Sequence, residues 1–262
     1  MENIKFNDIY NIDCVEGIKK LPDNSVDLIV TSPPYNVGVD YDSYDDRRPW
    51  NEYLSWCEEW LRECYRVLKD DGRLCVNHCL NLCSNNAEGT CKFPLFDIRD
   101  IEDKIGFHTH KIAVWTDITQ NKFTAWGSWL SASSPNIMQP DEGILISYKK
   151  QWNKINKGKS TINKETFMMG VTGIWNLETT TSKTKASFPE SLPEMCIRLL
   201  SYEGDTVMDP FSGSGTTCYV AKKLRRNFIG FEISPNYTRI AKERLDTVTF
   251  TDELWGEDNE RH

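Results

Sequence analysis

The sequence predicts an α/β fold built on a mostly parallel sheet, and three observations point there. Short apolar runs rich in β-branched residues alternate with amphipathic helical stretches along most of the 262 residues. Two of the runs end abruptly on turn-forming residues, at Ser32-Pro33-Pro34 and at Asp209-Pro210, as strands do where they hand over to loops. The length fits one large domain, or one core carrying an inserted module.

Taken in order, Ile4 to Ile12 reads as a short strand, and Val26-Asp27-Leu28-Ile29-Val30-Thr31 is the first clear one. From Trp50 to Leu68 the apolar positions Tyr53, Leu54, Cys57, Trp60, Leu61, Cys64, Tyr65 and Leu68 recur every three or four residues, which predicts an amphipathic helix. Asp71-Gly72 supplies its stop signal. Strands follow at Arg73 to Asn77, His108 to Trp115 and Gly143 to Tyr148, while residues 162–175 are ambiguous. The last third repeats the alternation: helix from Pro193 to Tyr202, strand Thr206 to Met208, helix from Gly215 to Leu224, strand Phe228 to Glu232, helix from Pro235 to Leu245. The acidic stretch from Thr251 to His262 is expected to be unstructured.

Hydrophobic residues at 39% and charged ones at 27% exclude a disordered or fibrous chain. No stretch approaches the roughly 18 apolar residues of a membrane span, and Met1 leads into polar sequence, so a soluble cytoplasmic protein is expected. Nine scattered cysteines do not read as a secreted disulfide framework. Cys75, His78, Cys79, Cys83 and Cys91 lack the Cys-x-x-Cys knuckle, so they read as core or free thiols and no metal site is expected. His108 and His110 share a strand face that reads as polar surface.

The net charge of −8 argues against a nucleic-acid partner only if it is spread evenly, and it is not. Between Ser147 and Ser187 eight lysines face two glutamates, a local charge of +6 on a scaffold that otherwise carries −14. This reads either as a basic insert or as a solvated loop. Within it Lys154, Lys157 and Lys159 are candidate phosphate contacts, and Trp152 and Trp175 are candidate stacking residues.

Two constellations carry chemistry. Asp209-Pro210-Phe211-Ser212-Gly213-Ser214-Gly215-Thr216-Thr217 follows a strand and opens a helix; its glycines let the backbone approach a ligand, and the helix start favours negative charge. It is no phosphate loop, since no lysine follows the second glycine. Glu232 closes the next strand, where an acid can accept both hydroxyl protons of a ribose, so a nucleotide-type ligand is implied. The second constellation is Thr31-Ser32-Pro33-Pro34-Tyr35. Two prolines fix a rigid bend that keeps the Pro33 carbonyl out of any helix, Ser32 adds an acceptor and Tyr35 a flat face. That set suits a planar ring bearing an exocyclic amino group; the alternative is a rigid turn with a buried tyrosine.

Together the two motifs resemble those of the amino-group DNA methyltransferases that use S-adenosylmethionine, and the resemblance runs over nearly the whole chain. The catalytic motif precedes the cofactor motif, which resembles the permuted β group. The resemblance implies a Rossmann-like, mostly parallel, seven-stranded sheet, circularly permuted, with a small inserted target-recognition region. Residues 1–148 would form the catalytic half, 149–186 the recognition insert, 187–250 the cofactor half and 251–262 an acidic tail. Ser32, Pro33, Pro34 and Tyr35 would be catalytic. Asp13, with its neighbour Cys14, resembles the contact to the cofactor adenine. Thr31, Phe188 and Pro189 would join Asp209, Pro210, Phe211, Ser212, Gly213, Ser214, Gly215, Thr216, Thr217 and Glu232 around S-adenosylmethionine. Trp126-Gly127-Ser128-Trp129 resembles a further segment of the catalytic half, whereas Thr184-Lys185 stands where the family usually has His-Pro. Ser-Pro-Pro-Tyr is associated in the family with cytosine N4, and Asp- or Asn-Pro-Pro-Tyr with adenine N6. The implied partners are double-stranded DNA, a cognate restriction endonuclease and, because the insert is short, a second copy of the chain, in a prokaryotic or phage-like setting.

Overall fold

The computed structural model describes residues 4–39, 43–83, 91–116, 127–135, 141–177 and 188–248. The expected acidic tail, Trp126 and Thr184-Lys185 lie outside them.

An eight-stranded sheet runs in the order β1 (Asp8–Asn11), β10 (Asn227–Glu232), β9 (Thr206–Asp209), β2 (Val26–Thr31), β3 (Leu68–Cys79), β7 (Asp141–Tyr148), β6 (His108–Thr116) and β8 (Ile174–Trp175). Neighbours are parallel except β3 with β7 and β7 with β6. Eight strands replace the expected seven because β8, drawn from the ambiguous 162–175 stretch, adds an edge beyond β6. A two-residue pair, β4 (Leu82–Cys83) and β5 (Cys91–Lys92), stands apart. Helices α1 (Cys14–Ile18), α2 (Trp50–Val67) and α3 (Pro94–Ile105) cover one face; α5 (Ser191–Leu200), α6 (Thr216–Lys223) and α7 (Pro235–Asp246) cover the other, and α4 (Lys164–Val171) packs beside them. The central strand β2 is buried at every position because both faces are covered, so its sequence, apart from Asp27 and Thr31 near its ends, is an apolar run rather than an alternation.

Helix α2 buries Tyr53, Cys57, Trp60, Leu61 and Cys64 of the stripe its period announced, with Val67 besides, and leaves Leu54 and Tyr65 half-buried. It ends at Val67, short of Asp71-Gly72. Leu68 turns extended and opens β3, and the register against β2 slips between Val26, opposite Leu68, and Leu28, opposite Arg73. A Cβ on Gly72 would lie 2.8 Å from both Leu68 Cδ2 and Lys69 O. The Asp-Gly pair therefore marks a bulge in a strand, not the end of a helix. Cys75 and His78 are buried, and Cys91 is disulfide-bonded rather than a free thiol. Among the described residues no helix is long and apolar enough to cross a membrane.

Glu102 of α3 is wholly buried under the sheet; Ser147 Oγ donates to it at 2.5 Å, and its other oxygen meets no donor among the described residues. Burial pushes its carboxyl up from 4.5 to about 8, against a smaller opposing pull from Ser147. The folded state thus holds this proton more tightly than the unfolded chain. Its stabilisation is complete below pH 4.5 and is lost as pH rises through about 8. Glu102→Gln is expected to raise the melting temperature on the alkaline side and to flatten its decline with pH; identical pH profiles for both proteins would contradict this.

The parallel strands β1, β10, β9, β2 and β3 all finish at one edge of the sheet, at Asn11, Glu232, Asp209, Thr31 and Cys79. Antiparallel β7 starts at that edge, with Glu142 opposite Cys79. The candidate residues gather there, where sheets of this kind present their ligands.

Candidate active site at the carboxyl edge of the sheet

Leaving β2, Thr31 Oγ1 donates to Asp209 Oδ1 at 2.7 Å, so the Ser32 turn and the glycine loop are fastened to each other. Phe211 N donates to the same oxygen at 3.0 Å. Asp209 is 1% exposed, and burial lifts its carboxyl to about 6 against these hydrogen bonds and one from Thr217.

Three neighbours hold the Tyr35 side chain by its hydroxyl. Its hydroxyl donates to Glu142 Oε2 at 2.8 Å and accepts from Ser32 Oγ at 3.1 Å and from Asn77 Nδ2 at 2.9 Å. Asn77 Nδ2 also reaches Glu142 Oε2 at 2.6 Å. Burial, with Glu142 adding to it, pushes the phenol well above its usual range, so it keeps its proton. His78 stacks on one face of the Tyr35 ring, centroids 4.1 Å apart and planes 19° apart. Tyr53 of α2 donates its hydroxyl proton to Pro34 O at 2.8 Å, so the 3.1 Å contact between that hydroxyl and His78 Nε2 must be donated by the imidazole. Nδ1 is then the acceptor, 3.2 Å from Cys79 Sγ. Burial lowers His78 to about 3, and the ring is neutral. No donor among the described residues reaches the Pro33 carbonyl.

The stretch after Tyr35 is clamped by Asp46, 2% exposed, whose carboxylate accepts from the backbone of Asn36, Val37, Gly38 and Val39 at 2.8–3.0 Å. Beyond Asp46, Arg48 lies over the rings of Tyr44 and Trp56 at 4.8 and 5.4 Å. This segment walls one side of a cavity that Ser32, Pro34, Asp13, Cys14, Phe188, Asp209 to Ser214, Thr216 and Glu232 also line.

The lining fits S-adenosylmethionine. Asp13 caps α1 with Oδ1, which accepts from Val15 N at 2.9 Å and Glu16 N at 3.2 Å, so Oδ2 is left to accept from an adenine amino group. Ile12 and Ile233 supply apolar walls beside it. Glu232 accepts from Gly213 N and Ser234 N at 2.8 Å, one on each oxygen, and a carboxylate oriented in this way by the backbone suits the hydroxyls of a ribose. Gly213 and Gly215 have positive φ of 50° and 77°; a Cβ at Gly213 would meet open space, whereas one at Gly215 would lie 2.8 Å from Ala241 Cβ. The first glycine leaves room for a ligand, and the second lets α7 close on the loop. Thr31, Pro189, Gly215 and Thr217 stand behind this lining.

Of the candidate nucleic-acid residues, the three lysines and Trp152 are not brought to this edge. Lys154 is 7% exposed and bonds Asp27 Oδ1 at 3.0 Å and Asp205 Oδ2 at 3.3 Å, at the starts of β2 and β9. Lys159 pairs with Glu203 at 3.4 Å, and Lys157 is exposed in the same segment. All three sit at the opposite end of the sheet from Ser32, roughly 15 Å away along β2 at about 3.3 Å per residue. Trp152 is also there, stacked on His110 at 3.7 Å with Arg73 over its ring at 4.9 Å. Trp175 does end β8 at the carboxyl edge, level with Trp115 and Glu142, but it is fully buried and donates to Gly170 O at 3.0 Å. A lysine count reports local charge but not which end of the sheet the segment crosses. Conversely Tyr53, Asn77, His78 and Glu142 gave no signal as site residues, because each reaches the edge from an element whose position follows from sheet order alone.

A family model described as DNA methylase, for N6 and N4 methyltransferases, matches residues 26–243. Type II methyltransferase M.MjaVI of Methanocaldococcus jannaschii is 44% identical over 155 residues, 59% of this chain and 78% of its own. Type II methyltransferase M.HpaI of Haemophilus parainfluenzae is 30% identical over 251 residues, 89% of this chain and 72% of its own. TTHA0409 of Thermus thermophilus, solved with S-adenosyl-L-methionine, superposes with a TM-score of 0.72 at 28% identity, covering 91% of this chain and 92% of that one. With the family model spanning most of the chain, this protein belongs to the N6/N4 DNA methylase family.

Proposed function

We propose that this DNA methyltransferase moves a methyl group from S-adenosylmethionine to the exocyclic N4 of a cytosine taken out of the duplex. The observation that carries the reading is Ser32, lining the cavity as a hydroxyl acceptor next in sequence to the Pro33 carbonyl, which no donor among the described residues reaches. The target amino group has two protons to place, and these are the two acceptors. Bound S-adenosylmethionine supplies a methyl group already activated by positive sulfur. The protein's work is positioning and electrostatic assistance. Ser32 and Pro33 draw the amino protons aside so that the nitrogen lone pair faces the methyl group, and Tyr35, backed by His78, is the ring proposed to stack on the base. Extrusion of the base costs a few kcal/mol.

The hydroxyl, a weaker acceptor than a carboxylate, favours cytosine as the target. The pairing of Lys154 and Lys159 with acids at the far end of the sheet speaks against the lysine segment as the recognition surface. The Type II names of the relatives support double-stranded DNA as substrate and a restriction endonuclease as companion. Nucleosides from DNA methylated by the purified protein are expected to contain N4-methylcytosine by mass spectrometry. N6-methyladenine would instead support the same reaction on adenine, the base named for a 27% identical Escherichia coli relative.

A further inference from the structure

We infer that Glu142, acting through Tyr35, fixes the Ser32 hydroxyl as a dedicated acceptor and takes up the proton released by the methylated amine; this rests on Ser32 facing the amino group. The argument is one of hydrogen-bond direction. A serine hydroxyl donates one bond and accepts two, and nothing in the residue itself decides which it offers a substrate. A carboxylate only accepts. With Glu142 Oε2 2.8 Å from the Tyr35 hydroxyl, the phenol proton must point at Glu142. Asn77, whose Nδ2 spans Glu142 Oε2 and the Tyr35 oxygen at 2.6 and 2.9 Å, reinforces that direction by donating to both. The phenol oxygen can then only accept, and the Ser32 proton is committed to it at 3.1 Å. What remains on Ser32 Oγ is lone pairs, with the carboxylate at the far end of a polarised chain of donors. A neutral residue thereby does what an acid or amide side chain would do unaided.

The same chain carries the product proton. The N–H bond of the methylated amine breaks as its proton bonds to Ser32 Oγ, whose own proton passes to the Tyr35 oxygen, whose proton passes to Glu142 Oε2. One proton has moved from nitrogen to carboxylate and every hydroxyl is restored. Glu142 is only partly buried, so it returns the proton to solvent.

The test is a single-turnover methylation cycle with Glu142→Gln, Tyr35→Phe and the double variant. Each single change is expected to slow methyl transfer by about 30-fold or more with cofactor and DNA affinities within about twofold, and the double variant is expected to be no slower than the worse single. In a Ser32→Asn background, whose amide oxygen accepts without help, Glu142→Gln is expected to cost less than about threefold. Strictly additive losses, or a Gln variant at the wild-type rate, would overturn the relay. If Ser32→Ala loses turnover while Glu142→Gln keeps it, the relay alone is wrong; if Ser32→Ala is fully active, the reading of Ser32 fails as well.

Discussion

Replacement of Tyr35 by alanine is expected to lower the methyl-transfer rate by about 10³-fold, the combined size of losing a positioned partner and a preorganised hydrogen bond. In the proposed reading the ring is the surface offered to the base, and its hydroxyl is the junction of Ser32, Asn77 and Glu142. Cofactor affinity should change little, because Asp13, Glu232 and the glycine loop are held by contacts that do not pass through Tyr35. Single-turnover rates give the first quantity and calorimetric titration with S-adenosylmethionine the second. A variant within tenfold of the wild-type rate would remove Tyr35 from the site, and one that loses cofactor binding would make its role structural.

The largest effect on stability is expected far from that edge. Lys154→Ala leaves Asp27 and Asp205 facing an emptied, nearly buried position, and breaking a pair of this kind costs about 3–5 kcal/mol. The low end applies, because Asp27 keeps Lys69 at 2.8 Å and accepts from Thr206 N at 2.9 Å. Burial raises the Asp27 carboxyl, but those bonds and Lys154 outweigh it and hold the group below its usual range. Urea titration should show a lower midpoint with unchanged slope, and DNA binding measured on the folded fraction should keep its salt dependence. A flattened salt slope without loss of stability would return Lys154 to the DNA surface.

Most of the architecture was legible from periodicity. The helix at 50–67, the buried strand at 26–31 and the closing alternation all follow from apolar spacing, which packing then satisfies. What escaped had weak local signals. The five-residue α1 is fixed by the Asp13 cap rather than by a stripe, and α3 begins on Pro94 after a segment with little pattern. The bulge at Gly72 imitated a helix terminus because Asp-Gly suits both. The two motifs located the candidate site, since each encodes a local backbone shape that few other residues can adopt. Glu142 and Asn77 were silent for the opposite reason. Their importance lies in β7 and β3 being neighbours, and register is not written in either strand alone.

The bond between Thr31 and Asp209 joins positions 178 apart in sequence and is made sideways, between neighbouring strands. At the other margin of the sheet Lys242 meets Asp8 at 2.9 Å, so the beginning and end of the described chain are also neighbours. The candidate site therefore depends on which strands lie side by side, and a contact made sideways holds its two motifs together whatever length of chain separates them.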